Sequence, residues 1–225
     1  MQTLQRFALI GSGFIGQVHA ANLAAHPAIE LALVCDREVA RAQAVAERYG
    51  AQAASVHQAL SSKAIDAVLI ASATPTHAEL LEQAVFAGKA VYCEKPIDLS
   101  LQRAREVVEK ISPLQVPVTV GFNRRFDQSH QQLKAQLKQG VIGHTELIQM
   151  VCRASELPPL SYLRASGGQM RDQAIHFFDL LRWLTEDEVM TVGALGAALA
   201  MPEIRDFDVD TSVLIMRMQQ GALAQ

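Results

Sequence analysis

The chain has 225 residues, half of them apolar, which suits one large domain or one and a half ordinary ones around a real core and excludes a disordered protein. Its 20 Lys and Arg against 23 Asp and Glu give a formal charge of −3. The basic residues are scattered, so there is no stripe for nucleic acid, and no apolar run is long enough to span a bilayer.

The first apolar run starts within a few residues of Met1, which leaves no room for a signal peptide and predicts a cytoplasmic protein. That run, from Phe7, ends in Gly11-x-Gly13-x-x-Gly16, and helix-forming residues follow from Gln17 to Ala25. In a strand-turn-helix unit Gly11 permits the tight turn, Gly13 lets a pyrophosphate approach the backbone, and Gly16 lets helix and strand pack closely. The N–H groups around Phe14 and Ile15 then face the phosphates without helical partners. Glu30 to Cys35 reads as a second buried strand delivering Asp36 about twenty residues after the last glycine, where the dinucleotide fold places an acid. A carboxylate there accepts from the adenosine ribose hydroxyls and repels a 2′-phosphate, which favours NAD over NADP. Asp36 could instead cap the helix starting near Val39. Arg37 could stack on adenine or take a 2′-phosphate.

Further along, the pattern predicts a helix over Val39 to Tyr49, a short strand near Gln52, a helical turn over Val56 to Leu60 and a strand over Ala67 to Ala71. A helix over His77 to Ala87, a strand over Ala90 to Cys93, a helix over Leu101 to Ile111 and a strand over Pro117 to Val120 follow. Gly50, Gly88 and Gly121 punctuate the joints. Such alternation specifies an α/β doubly wound parallel sheet of the Rossmann type, with ligands at the carboxyl ends of the strands. Two of those ends are polar: Ser72, Thr74, Pro75 and His77 after one strand, Glu94, Lys95 and Pro96 after the next. A lysine partly desolvated beside a cofactor can donate to a developing alkoxide. Glu94 and Lys95 could equally be a solvated loop pair. Cys35, Cys93 and Cys152 lie far apart without metal-site spacing and read as buried free thiols, and no metal is expected.

The glycine turn, Thr74-Pro75-x-His77, Glu94-Lys95-Pro96 and Gly121-Phe122-Asn123-Arg124-Arg125-Phe126 together resemble the Gfo/Idh/MocA oxidoreductases, which use a nicotinamide cofactor on sugars and polyols. The resemblance implies a Rossmann domain over residues 1–121 and an α/β domain with a mainly antiparallel open sheet over 122–225, for substrate and oligomerisation. It places the Thr74-Pro75 loop, Glu94 and Lys95 beside the cofactor, with Ser72 and His77 in the same set, turns Lys95 toward substrate and nicotinamide, and brings Arg125 to a substrate hydroxyl. The Arg124-Arg125 pair could instead be the solvated start of a helix containing Leu133 and Leu137.

In the second half, Gln173 to Leu184 has helical periodicity and is preceded by Asp172, four residues before His176. On one helix face the carboxylate could orient the imidazole as a defined base. A cap plus a packed histidine is the plainer account. The match to the family's D-x-x-x-H-x-x-D helix implies catalysis, and the inositol dehydrogenases are the nearest branch. Oxidation of a secondary alcohol of a cyclic polyol or sugar by NAD is then expected, most simply myo-inositol to its 2-ketone, with Lys95, Asp172 and His176 catalytic. Tyr162 and the loop from Ser155 to Ser166 help select the substrate.

Strands are expected over Glu146 to Arg153, Val189 to Leu199 and Val209 to Met218, with Gly221-Ala222-Leu223 turning into another. Family members run on well beyond this point, so the second domain reads as truncated, with a sheet edge and apolar faces left uncovered. Two other readings stay open: a non-catalytic NAD-binding remnant or sensor, and a relative that cleaves glycosides through transient oxidation by NAD.

Overall fold

Alternate residues of the first strand face two different cores, which defines a sheet covered on both sides. A computed structural model describes residues 4–225. The chain divides into two compact units, one ending at Gly121 and the other running Phe122–Gln225.

In the first unit β1 (Gln5–Ile10), α1 (Phe14–Ala25), β2 (Ile29–Cys35), α2 (Val39–Tyr49), β3 (Gln52–Ala53), α3 (Val56–Ser61) and β4 (Ala67–Ile70) are followed by α4 (His77–Phe86), β5 (Ala90–Cys93), α5 (Leu101–Ile111) and β6 (Val118–Val120). The strand order is β3-β2-β1-β4-β5-β6 and every pairing is parallel. Ala8 and Ile10 join Val68, Ile70, Leu81, Val85 and Val107 on the α4/α5 face. Leu9 joins Leu69, Val34, Leu23 and Val45 on the α1/α2 face. β4 is buried along its whole length, as a central parallel strand must be. The order reverses between β1 and β4, so their carboxyl ends open the crevice in which such sheets bind ligands.

α1 begins at Phe14, three residues earlier than the sequence predicts, because Gly13 itself is the N-cap and the last glycine already lies inside the helix. The helix ends at Gly50 and the turn at Gly88 use positive φ, as those glycines suggest.

The second unit contains α6 (Gln128–Lys138), β7 (Leu147–Ile148), α7 (Leu160–Ser166), α8 (Ile175–Thr185), β8 (Val189–Ala197), β9 (Thr211–Met218) and β10 (Leu223–Ala224). Its four strands run β7-β10-β9-β8, with β8/β9 and β9/β10 antiparallel and β10/β7 parallel. Leu181 of α8 packs with Met216, Met218 and Ala224 on one sheet face, with Phe178, Leu214 and Ile148 around them. The turn at Gly221 does lead into a strand.

Boundaries depart from expectation at four elements here, and β8 ends at Ala197, two residues short of the expected Leu199. The strand predicted over residues 146–153 shrinks to β7, since only two of its residues meet two of β10. The strand predicted from Val209 starts at Thr211, because the Asp210 carboxylate turns inward to accept from the N–H groups of Leu199, Ala200 and Met201. The helix predicted from Gln173 starts as α at Ile175, after a π-type turn over Met170–Ala174.

Candidate functional site

The glycine turn separates its three glycines by task. Gly11 has φ +95°, and a Cβ there would stand 2.5 Å from the Ala71 carbonyl oxygen. A Cβ on Gly16 would strike the Gly11 carbonyl. Those two glycines serve close packing of turn, helix and β4. At Gly13 an added Cβ would meet nothing within 4 Å. Gly13 therefore borders open space at the N-terminus of the twelve-residue α1, whose cap carries no side-chain hydrogen bond and whose first turn has no acid. Phe14 and Ile15 stand exposed there. Free N–H groups and a positive helix end beside a Cβ-free backbone fit a pyrophosphate.

Asp36 follows directly on β2 and binds back to that turn. Its Oδ2 accepts from the Ser12 backbone N–H and hydroxyl, each at 2.8 Å, and its Oδ1 accepts from the Glu38 N–H at 2.9 Å. Burial pushes the Asp36 carboxyl up, but these hydrogen bonds and the charge of Arg41 outweigh it and hold the group below its usual 3.8. The cation near Asp36 is Arg41, 3.8 Å away. Arg37 is exposed. Oδ1 keeps acceptor capacity for a ribose hydroxyl, and Oδ2 gains it when the Ser12 hydroxyl turns away.

Glu94 is not a solvated loop residue. Its Oε1 lies 2.7 Å from His19 Nε2 of α1, with the two side chains only 13% and 15% exposed. Its Oε2 accepts from the Lys95 N–H at 3.3 Å. A Cβ on Gly121 would stand 3.0 Å from both Glu94 Oε2 and the Tyr92 hydroxyl, so this joint is glycine to seat the carboxylate. Burial, with the Glu94 charge nearby, pushes Tyr92 up to about 12. The Lys95–Pro96 peptide bond is cis. Ser72 and Thr76 share a hydroxyl hydrogen bond across the single turn Thr74–Thr76 that carries Pro75. His77 is fully buried, with Nδ1 2.8 Å from the Pro96 carbonyl and Nε2 3.0 Å from that of Ser72. Its ring ties two loops together and keeps no polar atom for a cofactor.

In the second unit the π-type turn carries Asp172, which is buried and accepts from the Tyr162 hydroxyl at 3.1 Å and the Gln173 amide at 3.3 Å. Two of the expected substrate-site residues thus meet. Phe122 meets His176 edge to face, with ring centroids 6.5 Å apart. Arg125 forks onto Asp179, Nε donating to Oδ2 at 2.8 Å, and that hydrogen bond raises the Arg125 pKa. The guanidinium expected at a substrate hydroxyl is therefore engaged by the third member of the D-x-x-x-H-x-x-D pattern. Ser12, His19 and Arg41 carry no signal in the sequence reading, whereas Phe122 and Asp179 lie inside the quoted motifs without an assigned role.

Cys35 and Cys93 are buried and free, with burial pushing each thiol to about 12. Cys152 is exposed, contrary to expectation, because the chain beyond β7 leaves the sheet. Among the described residues, no group of three His, Cys, Asp or Glu could hold a metal ion, and no helix is long and apolar enough to cross a membrane.

Residues 5–122 match a family model described as an oxidoreductase family with an NAD-binding Rossmann fold, and residues 130–225 match the GFO/IDH/MocA C-terminal domain. The chain belongs to the Gfo/Idh/MocA oxidoreductase family. It is 38% identical to an inositol 2-dehydrogenase of Rhizobium meliloti over 220 residues, 97% of this chain and 67% of that protein. It is 37% identical to a myo-inositol 2-dehydrogenase of Thermotoga maritima, covering 97% of this chain and 66% of that one. A crystal structure of the Lactobacillus casei scyllo-inositol dehydrogenase with bound NAD(H) and scyllo-inositol superposes with a TM-score of 0.85 at 28% identity, over 99% of this chain and 68% of that chain. The chain thus spans about two thirds of the length of these Gfo/Idh/MocA relatives.

Proposed function

We propose that this family member oxidises a secondary alcohol of a cyclic polyol, an inositol first, using NAD. The observation that carries the reading is the anchored Asp36 beside an open Gly13, a carboxylate and a bare helix N-terminus that suit ribose hydroxyls and pyrophosphate together. The negative charge at Asp36 opposes a 2′-phosphate and favours NAD over NADP. NAD bound at this turn would supply the hydride acceptor.

The proton chemistry falls to the chain's own side chains. His176 takes the hydroxyl proton, Asp172 stabilises the resulting imidazolium, and Lys95 donates to the developing alkoxide. The Tyr162 hydroxyl, bonded to Asp172, fixes that carboxylate and lines the substrate position. Arg125, held by Asp179, keeps its remaining N–H groups for a ring hydroxyl. Relatives that carry inositol in their names support the substrate class.

The test is NADH formation by the purified chain from myo-inositol, scyllo-inositol and glucose, with NAD and with NADP. Turnover of an inositol with NAD is expected. Turnover of glucose alone, or preference for NADP, would contradict the assignment.

A further inference from the structure

We infer that His19 and His77 are positioning residues for Lys95, two imidazoles that anchor the backbone on either side of it. The inference rests on the reading of Lys95 as the alkoxide-stabilising lysine. On the N-terminal side, His19 from α1 grips Glu94 at 2.7 Å, Tyr92 meets the His19 ring edge to face at 5.3 Å, and the other Glu94 oxygen accepts from the Lys95 N–H. On the C-terminal side, His77 from α4 lies 2.8 Å from the Pro96 carbonyl, and its second nitrogen reaches the Ser72 carbonyl after β4. The residues before and after Lys95 are thus each fixed by a histidine on a different helix, and both helices pack on the same sheet.

A lysine needs such anchoring more than most residues. Its ammonium sits on a flexible four-carbon stem whose ordering is costly, and the stem can aim the charge only as well as its backbone is held. A misplacement of about 1 Å costs roughly a hundredfold in rate. One helix carries the glycine turn and the other follows the Thr74-Pro75 turn, so both anchors tie Lys95 to segments that border the proposed cofactor position.

The experiment combines hydrogen–deuterium exchange with kinetics on the full chain, comparing wild type, His19→Ala, His19→Gln, His77→Gln and Lys95→Met. In His19→Ala and His77→Gln, amides over residues 94–99 should exchange about tenfold faster while β1 and β4 keep their protection. In the same variants kcat should fall about tenfold to a hundredfold with the KM for NAD within about twofold. His19→Gln, which keeps a donor for Glu94, should recover part of the loss. Unchanged exchange over 94–99, or protection lost evenly across the sheet, would overturn the inference. Wild-type turnover in Lys95→Met would overturn the reading of Lys95 and the inference with it. An inactive Lys95→Met beside fully active histidine variants would sink the inference alone.

Discussion

Asp36 is held by so many donors that its charge is secure across the working range of most enzymes. Its folded pKa is lowered, so its contribution to stability is present above its unfolded value and is lost as pH falls through the lower folded value. NADH affinity should therefore stay flat from neutral pH down to the ordinary carboxylate range, and Asp36→Ala should weaken it about tenfold to a hundredfold, as loss of charged hydrogen bonds does. Titration by nucleotide fluorescence reads both, and an Asp36→Ala chain that binds NADH like wild type would remove the ribose role. His176→Ala should behave oppositely, lowering kcat by about two to four powers of ten while NADH affinity holds. Equal losses of binding and turnover in that variant would tell against a base. With Cys35 and Cys93 buried as high-pKa thiols, native protein at neutral pH should react rapidly with a thiol reagent at Cys152 alone. The glycine turn and Asp36 were legible in the sequence because covalent spacing along one strand-turn-helix-strand unit fixes where they go. The long-range side-chain pairs were not: His19 lies 75 positions from Glu94, and Arg125 lies 54 from Asp179. Only packing across the sheet or between helices brings such pairs together.

At the scale of elements, the central strands carry the stability of the first unit. Ile70 is completely buried in β4, whereas Ile215 on β9 is 61% exposed. Ile70→Ala should cost about 2–5 kcal/mol in urea unfolding, and Ile215→Ala should change stability by only about 0.5 kcal/mol either way. Similar costs at the two positions would mean that the exposed sheet face is covered in solution. The sequence pattern predicts α2, β5 and α5 residue for residue, because each has a clear period and a clean stop. It failed where side chains override local pattern: Asp210 shortens the start of β9, and the run before α8 widens into a π-type turn that periodicity does not encode.

For the molecule as a whole, the second sheet packs α8 on one face and exposes Leu147, Leu195, Val213, Ile215 and Leu223 on strands around the other. Apolar area of this kind invites a second copy of the chain. Paired Leu195→Lys and Ile215→Lys substitutions should shift sedimentation from a self-associated species toward monomer, and unchanged sedimentation would remove that role for the face. We propose that NAD binding by the first unit and proton handling by Asp172 and His176 of the second serve one oxidation. The most direct test is a single turnover of the purified chain with NAD and myo-inositol deuterated at the carbon bearing the oxidised hydroxyl. NADH that carries the deuterium on its nicotinamide ring is expected. NADH binding with no turnover, or NADH formed without the label, would contradict the proposal.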